Sequence, residues 1–280
     1  MTMRKTVRSR RLGHALRALR EDAQLDQETL AKRIGISQSH LSRVETGTKR
    51  LDADQLRRLV AEVGAGEEHR AALEALSERA DTPGWWQEYG DILPQPVEML
   101  IELGEESSWL RTFDNVYVQG MLQTREYAEA VISCATAHVR VTDVDRLVEL
   151  RMRRQERLSE PNFRLTSVMT EGVIRQQVGG PRVMRRQLQH LLDVTEKHDV
   201  TVHVLPFTAG AHPGFDSIVI FDLPDEDSPE AVYVDSDTAW RVHEQRDAVR
   251  QCTYTFHAVL AQALSPRESL DLVRKVMKEM

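Results

Sequence analysis

Cysteine is scarce. The 280 residues include two, Cys134 and Cys252, and neither has a neighbour at the spacing of a metal site or a redox pair. With no secretory segment to suggest export, they read as reduced thiols of a cytoplasmic protein. Long apolar runs are also missing, although 41% of the residues are hydrophobic. No stretch approaches the ~20 residues needed to span a bilayer, so no membrane association is expected. Met1 to Arg11 is basic but leads into no apolar segment, which does not fit a signal peptide. No internal repeat and no long low-complexity tract is visible. Ser217 lacks the glycine elbow of a nucleophile, and no Ser/His/Asp grouping stands out. Nothing argues for an enzyme, and neither a cofactor nor a metal is expected.

The charge that is present is unevenly spread. The chain carries a net −7, which alone disfavours a polyanionic partner. Residues 1–63, however, hold fourteen Lys and Arg against eight Asp and Glu. A basic head on an acidic body confines polyanion binding to one end. A merely solvated asymmetry is the other reading.

The head parses into five short helices. Leu12, Ala15, Leu16 and Leu19 recur at the spacing of one buried helical face. Asp26, Ser37 and Asp52 each stand as an N-cap inside a hydrophobic staple, formed by Leu25 with Leu30, Ile36 with Leu41, and Leu51 with Leu56. Gly35, Gly47 and Gly64 fall where these helices should stop. A fifth helix is expected over about Glu67–Ala80, before Pro83 and Gly84. Further on, helical spacing returns at Val97–Leu110, Thr124–Ser133, Asp143–Leu158, Pro181–Lys197, Trp240–Ala263 and Pro266–Lys278. Strands are expected at Phe163–Met169, Val200–Leu205, Ser217–Leu223 and Ala231–Val234. The fold class expected is mainly α, a five-helix bundle followed by an α+β domain. The boundaries expected are a head over 1–80, a linker over 81–96 and a second domain over 97–280.

The segment from Gln27 to Gly47 carries the chemistry. Two helices of about two turns meet at Gly35, Ile36 and Ser37, the connection of a helix-turn-helix. Ala31 is small where the helices must approach, and Ile34, Ile36, Leu41 and Val44 supply an internal core. Gln38, Ser39, His40, Ser42 and Arg43 are left on the outer face, and such side chains suit base edges and phosphates in a major groove. An ordinary helical hairpin, or such a fold used only to bind protein, are the competing readings. One such unit reads only a few base pairs, so a homodimer on a double-stranded operator is expected, with its two heads one DNA turn apart.

The segment resembles the λ-repressor-like helix-turn-helix of the xenobiotic-response-element (XRE) regulators, over about residues 9–80. The resemblance implies a recognition helix over 38–46, with Gln38, Ser39 and His40 on bases and Arg43 on bases or backbone. It also implies a phosphate clamp at Gln27, further phosphate contacts at Thr48, Lys49 and Arg50, and a flexible arm over Arg4–Arg11. Later motifs recur in a known order: Trp85-Trp86, the Gln119–Ala128 run, Arg151-Met-Arg-Arg-Gln155, Val178–Met184, Val204-Leu-Pro-Phe207 and Gly210-Ala-His212. With these, nearly the whole chain is similar to the actinomycete XRE regulators called Scr1-type and antitoxin-like. That similarity implies a small protein partner, encoded nearby, that controls DNA binding. An antitoxin-like module that sequesters its partner, with DNA binding only autoregulatory, is the alternative.

Several other groups have two readings. Trp85, Trp86 and Tyr89 either line a pocket or dock the linker. Arg151 and Arg154 either bind an anion or pair with acids such as Glu149 or Glu171. His203 and His212 could face a metal, but no acid or cysteine stands at ligand spacing. Gly179-Gly180-Pro181 is either a phosphate cradle or a turn with Pro at the first helical position.

Overall fold

The computed structural model describes residues 6–135, 139–214, 216–223, 231–236 and 239–280. They form two compact units, one carried by residues 6–87 and the other by residues 88 onward.

The first unit is a bundle of five helices: α1 (Val7–Asp22), α2 (Gln27–Ile34), α3 (Gln38–Glu45), α4 (Ala53–Glu62) and α5 (Glu67–Asp81). Each expected cap is made. Asp26 accepts from the Thr29 amide, Ser37 from His40 and Asp52 from Gln55. These bonds satisfy amides that the first helical turn would leave unpaired. Leu12, Leu16, Leu30, Ile34, Leu41, Leu56 and Leu59 meet in one core. The arm expected over Arg4–Arg11 is largely helix instead. Thr6 and Ser9 form a reciprocal capping box that starts α1 at Val7, and Arg11 is buried. Arg4 and Lys5 lie outside the described residues. Trp86 is also buried, with the Arg8 guanidinium 5.5 Å from its ring centre. This is the docking role, and not the pocket, for that tryptophan.

The second unit is built on a six-stranded mixed sheet: β1 (Trp109–Asp114), β2 (Arg164–Thr170), β3 (Val200–Leu205), β4 (Ser217–Asp222), β5 (Ala231–Ser236) and β6 (Ala239–His243). The spatial order is β3-β2-β1-β4-β5-β6. β1, β2 and β3 run parallel, and β4, β5 and β6 add antiparallel. The helices are α6 (Gln95–Glu106), α7 (Arg125–Cys134), α8 (Val144–Arg154), α9 (Glu171–Arg175), α10 (Pro181–Lys197), α11 (Arg246–Leu260) and α12 (Pro266–Glu279). Pro181 opens α10, as the turn reading expects. The architecture is therefore the expected α+β, with two corrections. Residues 109–114 form the strand β1, so the helix expected over Val97–Leu110 ends at Glu106, and residues 239–243 form an edge strand before α11. Phe113, Ile218, Ile220 and Val232 of the sheet pack with Val249, Phe256 and Val259 of α11. Arg111 and Asp222 tie β1 to β4 through two hydrogen bonds of 2.9 and 2.7 Å.

Asp114 ends β1 and accepts from the Thr112 hydroxyl at 2.9 Å. Burial drives its carboxyl up to about 7; the Thr112 bond opposes this and the charge of Asp235 reinforces it. A carboxyl that holds its proton more tightly when folded stabilises the fold at low pH and loses that contribution as pH rises. Stability linked to Asp114 should thus be complete below about 4 and fall away up to about 7. Asp114→Asn is expected to flatten this part of the melting-temperature profile. Circular dichroism melts of both proteins across that range check it.

Candidate nucleic-acid interface

The turn between α2 and α3 is built from local rules. Gly35 takes a φ of 78°, a left-handed conformation open to glycine. The Ile36 amide then closes on the Ala31 carbonyl at 2.9 Å, and Ser37 restarts the chain as the cap of α3. This sequence of stop, turn and cap sets the angle between the two helices.

The inner stripe of α3 is Leu41, Val44 and Glu45, all buried. Glu45 is 4% exposed, and a carboxylate there must be paired. Arg20 of α1 donates to it twice, Nε to Oε1 at 2.6 Å and a terminal nitrogen to Oε2 at 3.1 Å. Gln27, the first residue of α2, donates its amide to Oε2 at 2.7 Å. Arg20 also reaches the Leu25 carbonyl at 2.8 Å. One carboxylate therefore ties α1 and α2 to the end of α3. The bond to Glu45 raises the Arg20 guanidinium above its ordinary value, partly opposed by burial. Neither Arg20 nor Glu45 is singled out by reading the outer face of the motif. The available signal is that Glu45 stands four residues after Leu41, on the buried stripe. The backbones of α1 and α3 also approach closely: a Cβ on Gly13 would fall 2.6 Å from the Val44 carbonyl oxygen.

With that face fixed, the other side of α3 turns outward. Gln38, Ser39 and Arg43 are exposed, and His40 and Ser42 are partly so. Arg43 folds its Nε onto the Ser39 carbonyl at 2.9 Å. The Arg43 carbonyl accepts from the Thr48 amide, the Thr48 hydroxyl and the Lys49 amide at 2.8 to 3.0 Å. This arrangement wraps Thr48 and Lys49 over the end of α3 and leaves the Lys49 side chain exposed. Two expected contacts are placed differently. The His40 ring bonds the Arg50 carbonyl at 3.2 Å, and the Arg50 guanidinium turns to the Ala80 carbonyl at the end of α5. Burial lowers the Arg50 pKa. Gln27 likewise lends its amide nitrogen to Glu45. The surface thus gathers Gln38, Ser39, Ser42, Arg43 and Lys49, with His40 and Arg50 bracing its edge.

His203 and His212 each have a partner of their own. His203 bonds the Leu264 carbonyl at 2.9 Å, and His212 stands edge-on to Phe113. Among the described residues, no group of three His, Cys, Asp or Glu side chains is placed to hold a metal ion. No helix among them is long and apolar enough to cross a membrane.

Residues 11–73 match the family described as a helix-turn-helix domain, and residues 97–275 match a domain of unknown function, DUF5753. The chain belongs to the DUF5753 family. In this member of the family, the first unit is a helix-turn-helix domain. No curated protein matches the sequence. Among solved structures, similarity extends to the clp gene regulator ClgR from C. glutamicum. That chain is 24% identical, with 28% of this chain and 97% of that one covered and a TM-score of 0.23. ComR from Streptococcus suis is 14% identical over 71% of this chain and 72% of its own, with a TM-score of 0.20.

Removing one partner of a buried ion pair strands the other and costs about 3–5 kcal/mol. Glu45→Gln should therefore destabilise the first unit by an amount on that order. Gly13→Ala, which forces backbones apart, should cost about 1–3 kcal/mol. Urea unfolding of the full chain followed by circular dichroism measures both.

Proposed function

We propose that this protein is a sequence-specific, DNA-binding transcriptional regulator of the XRE type, working in the cytoplasm as a homodimer on a double-stranded operator. The observation that carries this reading is the two-sidedness of α3. Its inner face is locked by Leu41, Val44 and the Glu45 network, while Gln38, Ser39 and Arg43 stand in solvent. Flexible hydrogen-bonding groups on a short rigid helix are what a major groove can accept. Gln38 is assigned to a base, where its amide can pair in a bidentate way with adenine. Ser39 and His40 flank it, and Ser42 and Arg43 lie along the groove wall. Thr48 and Lys49 would follow the phosphates, and Gln27 would clamp another at the start of α2. Arg50 is the weakest of these assignments, because its guanidinium already has a carbonyl partner.

In this proposal residues 1–80 read DNA, 81–96 link, and 97–280 hold the dimer and receive the signal. A small protein partner or a ligand would shift the population of head spacings that fit an operator. On this reading the protein acts as a Scr1-type, antitoxin-like regulator.

Fluorescence anisotropy on the DNA upstream of its own gene, over a salt series, tests the assignment. Gln38→Ala should lose discrimination at one base pair, about 1–3 kcal/mol. Lys49→Ala should weaken all sequences alike and reduce the salt slope by about one. An unchanged base preference in Gln38→Ala would contradict the docking register.

A further inference from the structure

One ring nitrogen on the outer face of α3 is committed inside the protein. His40, the third residue of that helix, is partly exposed. Its Nε2 lies 3.2 Å from the Arg50 carbonyl oxygen. A carbonyl oxygen only accepts, so this bond puts the ring proton on Nε2. In a neutral imidazole the other nitrogen then carries a lone pair and no proton. Among the described residues, Nδ1 has no hydrogen-bond partner, and it is not closed off from solvent.

The carbonyl that selects this tautomer is itself held. Before it, the Arg43 carbonyl accepts from the amides of Thr48 and Lys49, which fixes the chain as it leaves α3. At Arg50 itself, the guanidinium donates to the Ala80 carbonyl. After it, Leu51 is buried and Asp52 closes a reciprocal capping box with Gln55 at the start of α4. The backbone of His40 is fixed too. Its amide donates to the Ser37 carbonyl at 2.9 Å and to the Ser37 hydroxyl at 3.2 Å. The ring is therefore tethered at both ends, and turning Nε2 outward costs its bond to Arg50.

This makes His40 unlike its neighbours. Arg43 and Lys49 only donate, while Gln38, Ser39 and Ser42 do either. Nδ1 of the neutral ring only accepts. Phosphate oxygens are acceptors as well, so they offer it nothing. In the major groove the base edges divide: adenine N6 and cytosine N4 donate, whereas guanine O6 and thymine O4 accept. We propose that His40 reads an exocyclic amino group, its Nδ1 accepting from an adenine or a cytosine and rejecting guanine and thymine at the same place on that strand. Against a keto oxygen both acceptors are left without a donor, and an unmet polar group at an interface is what discriminates. The assignment rests on the docking of α3 proposed above. It adds the class of base that this side chain selects and the backbone carbonyl that sets the choice.

Two measurements on the full chain test it. The first needs no DNA. NMR of the histidine ring nitrogens at about pH 8, where free imidazole is neutral, reads the tautomer, and the signals missing from His40→Ala identify His40. Nε2 should carry the proton and Nδ1 none; a proton on Nδ1 overturns the proposal. The second is selection from a double-stranded DNA library with a randomised core, sequenced for the wild type and for His40→Ala. The wild type should enrich one position in each half-site for A or C over G and T by about tenfold. His40→Ala should lose that preference and keep the others. A wild-type preference for G or T at the position His40→Ala alters, or a loss of affinity equal for all sequences, overturns the proposal. The two levels separate cleanly. If the wild type enriches a sequence in which no position responds to His40→Ala, this proposal alone fails. If the wild type enriches no sequence, the regulator reading fails and takes the proposal with it.

Discussion

Glu45 is the point on which the geometry of the reading head depends. A carboxylate at that depth is tolerable only when paired, and its partners come from two places: Arg20 in the last turn of α1 and Gln27, the first residue of α2. A buried ion pair adds little net stability compared with apolar packing. Its value here is directional. Leu41 and Val44 would accept small rotations of α3, whereas two charge-assisted bonds from one guanidinium and a third from Gln27 hold one rotation. The outward presentation of Gln38, Ser39 and Arg43 follows from that lock.

Features with short causes were legible in the sequence. The caps at Asp26, Ser37 and Asp52 each bond an amide three residues away, so residue type and spacing suffice to find them. The outward face of α3 was legible because it needs no partner in the protein. Features with distant causes were not. Arg20 and Glu45 are 25 residues apart, and Arg50 is drawn from the surface by a carbonyl 30 residues away. The helix over 7–11 was read as an arm because its capping box uses Ser9 in place of the usual Glu or Gln.

The sheet makes the same point. β1 was missed because Leu110, Arg111, Thr112 and Phe113 are all buried, which erases the apolar–polar alternation of a half-exposed strand. Arg111 lies inside because Asp222, 111 residues away, neutralises it. β6 is short and runs almost directly into α11, so helical spacing beyond it masked the strand. The acids expected for Arg151 and Arg154 are taken by Arg125, from a different helix, and by Arg175, one turn along α9.

The central claim is that the outer face of α3 contacts operator bases. Photo-crosslinking from a benzoylphenylalanine placed at Ser39, on operator DNA, tests it most directly. The expected result is an adduct confined to major-groove base positions, symmetric in the two half-sites, and absent when the same probe replaces Arg153 in the second unit. Adducts from position 153 but none from position 39 would contradict it.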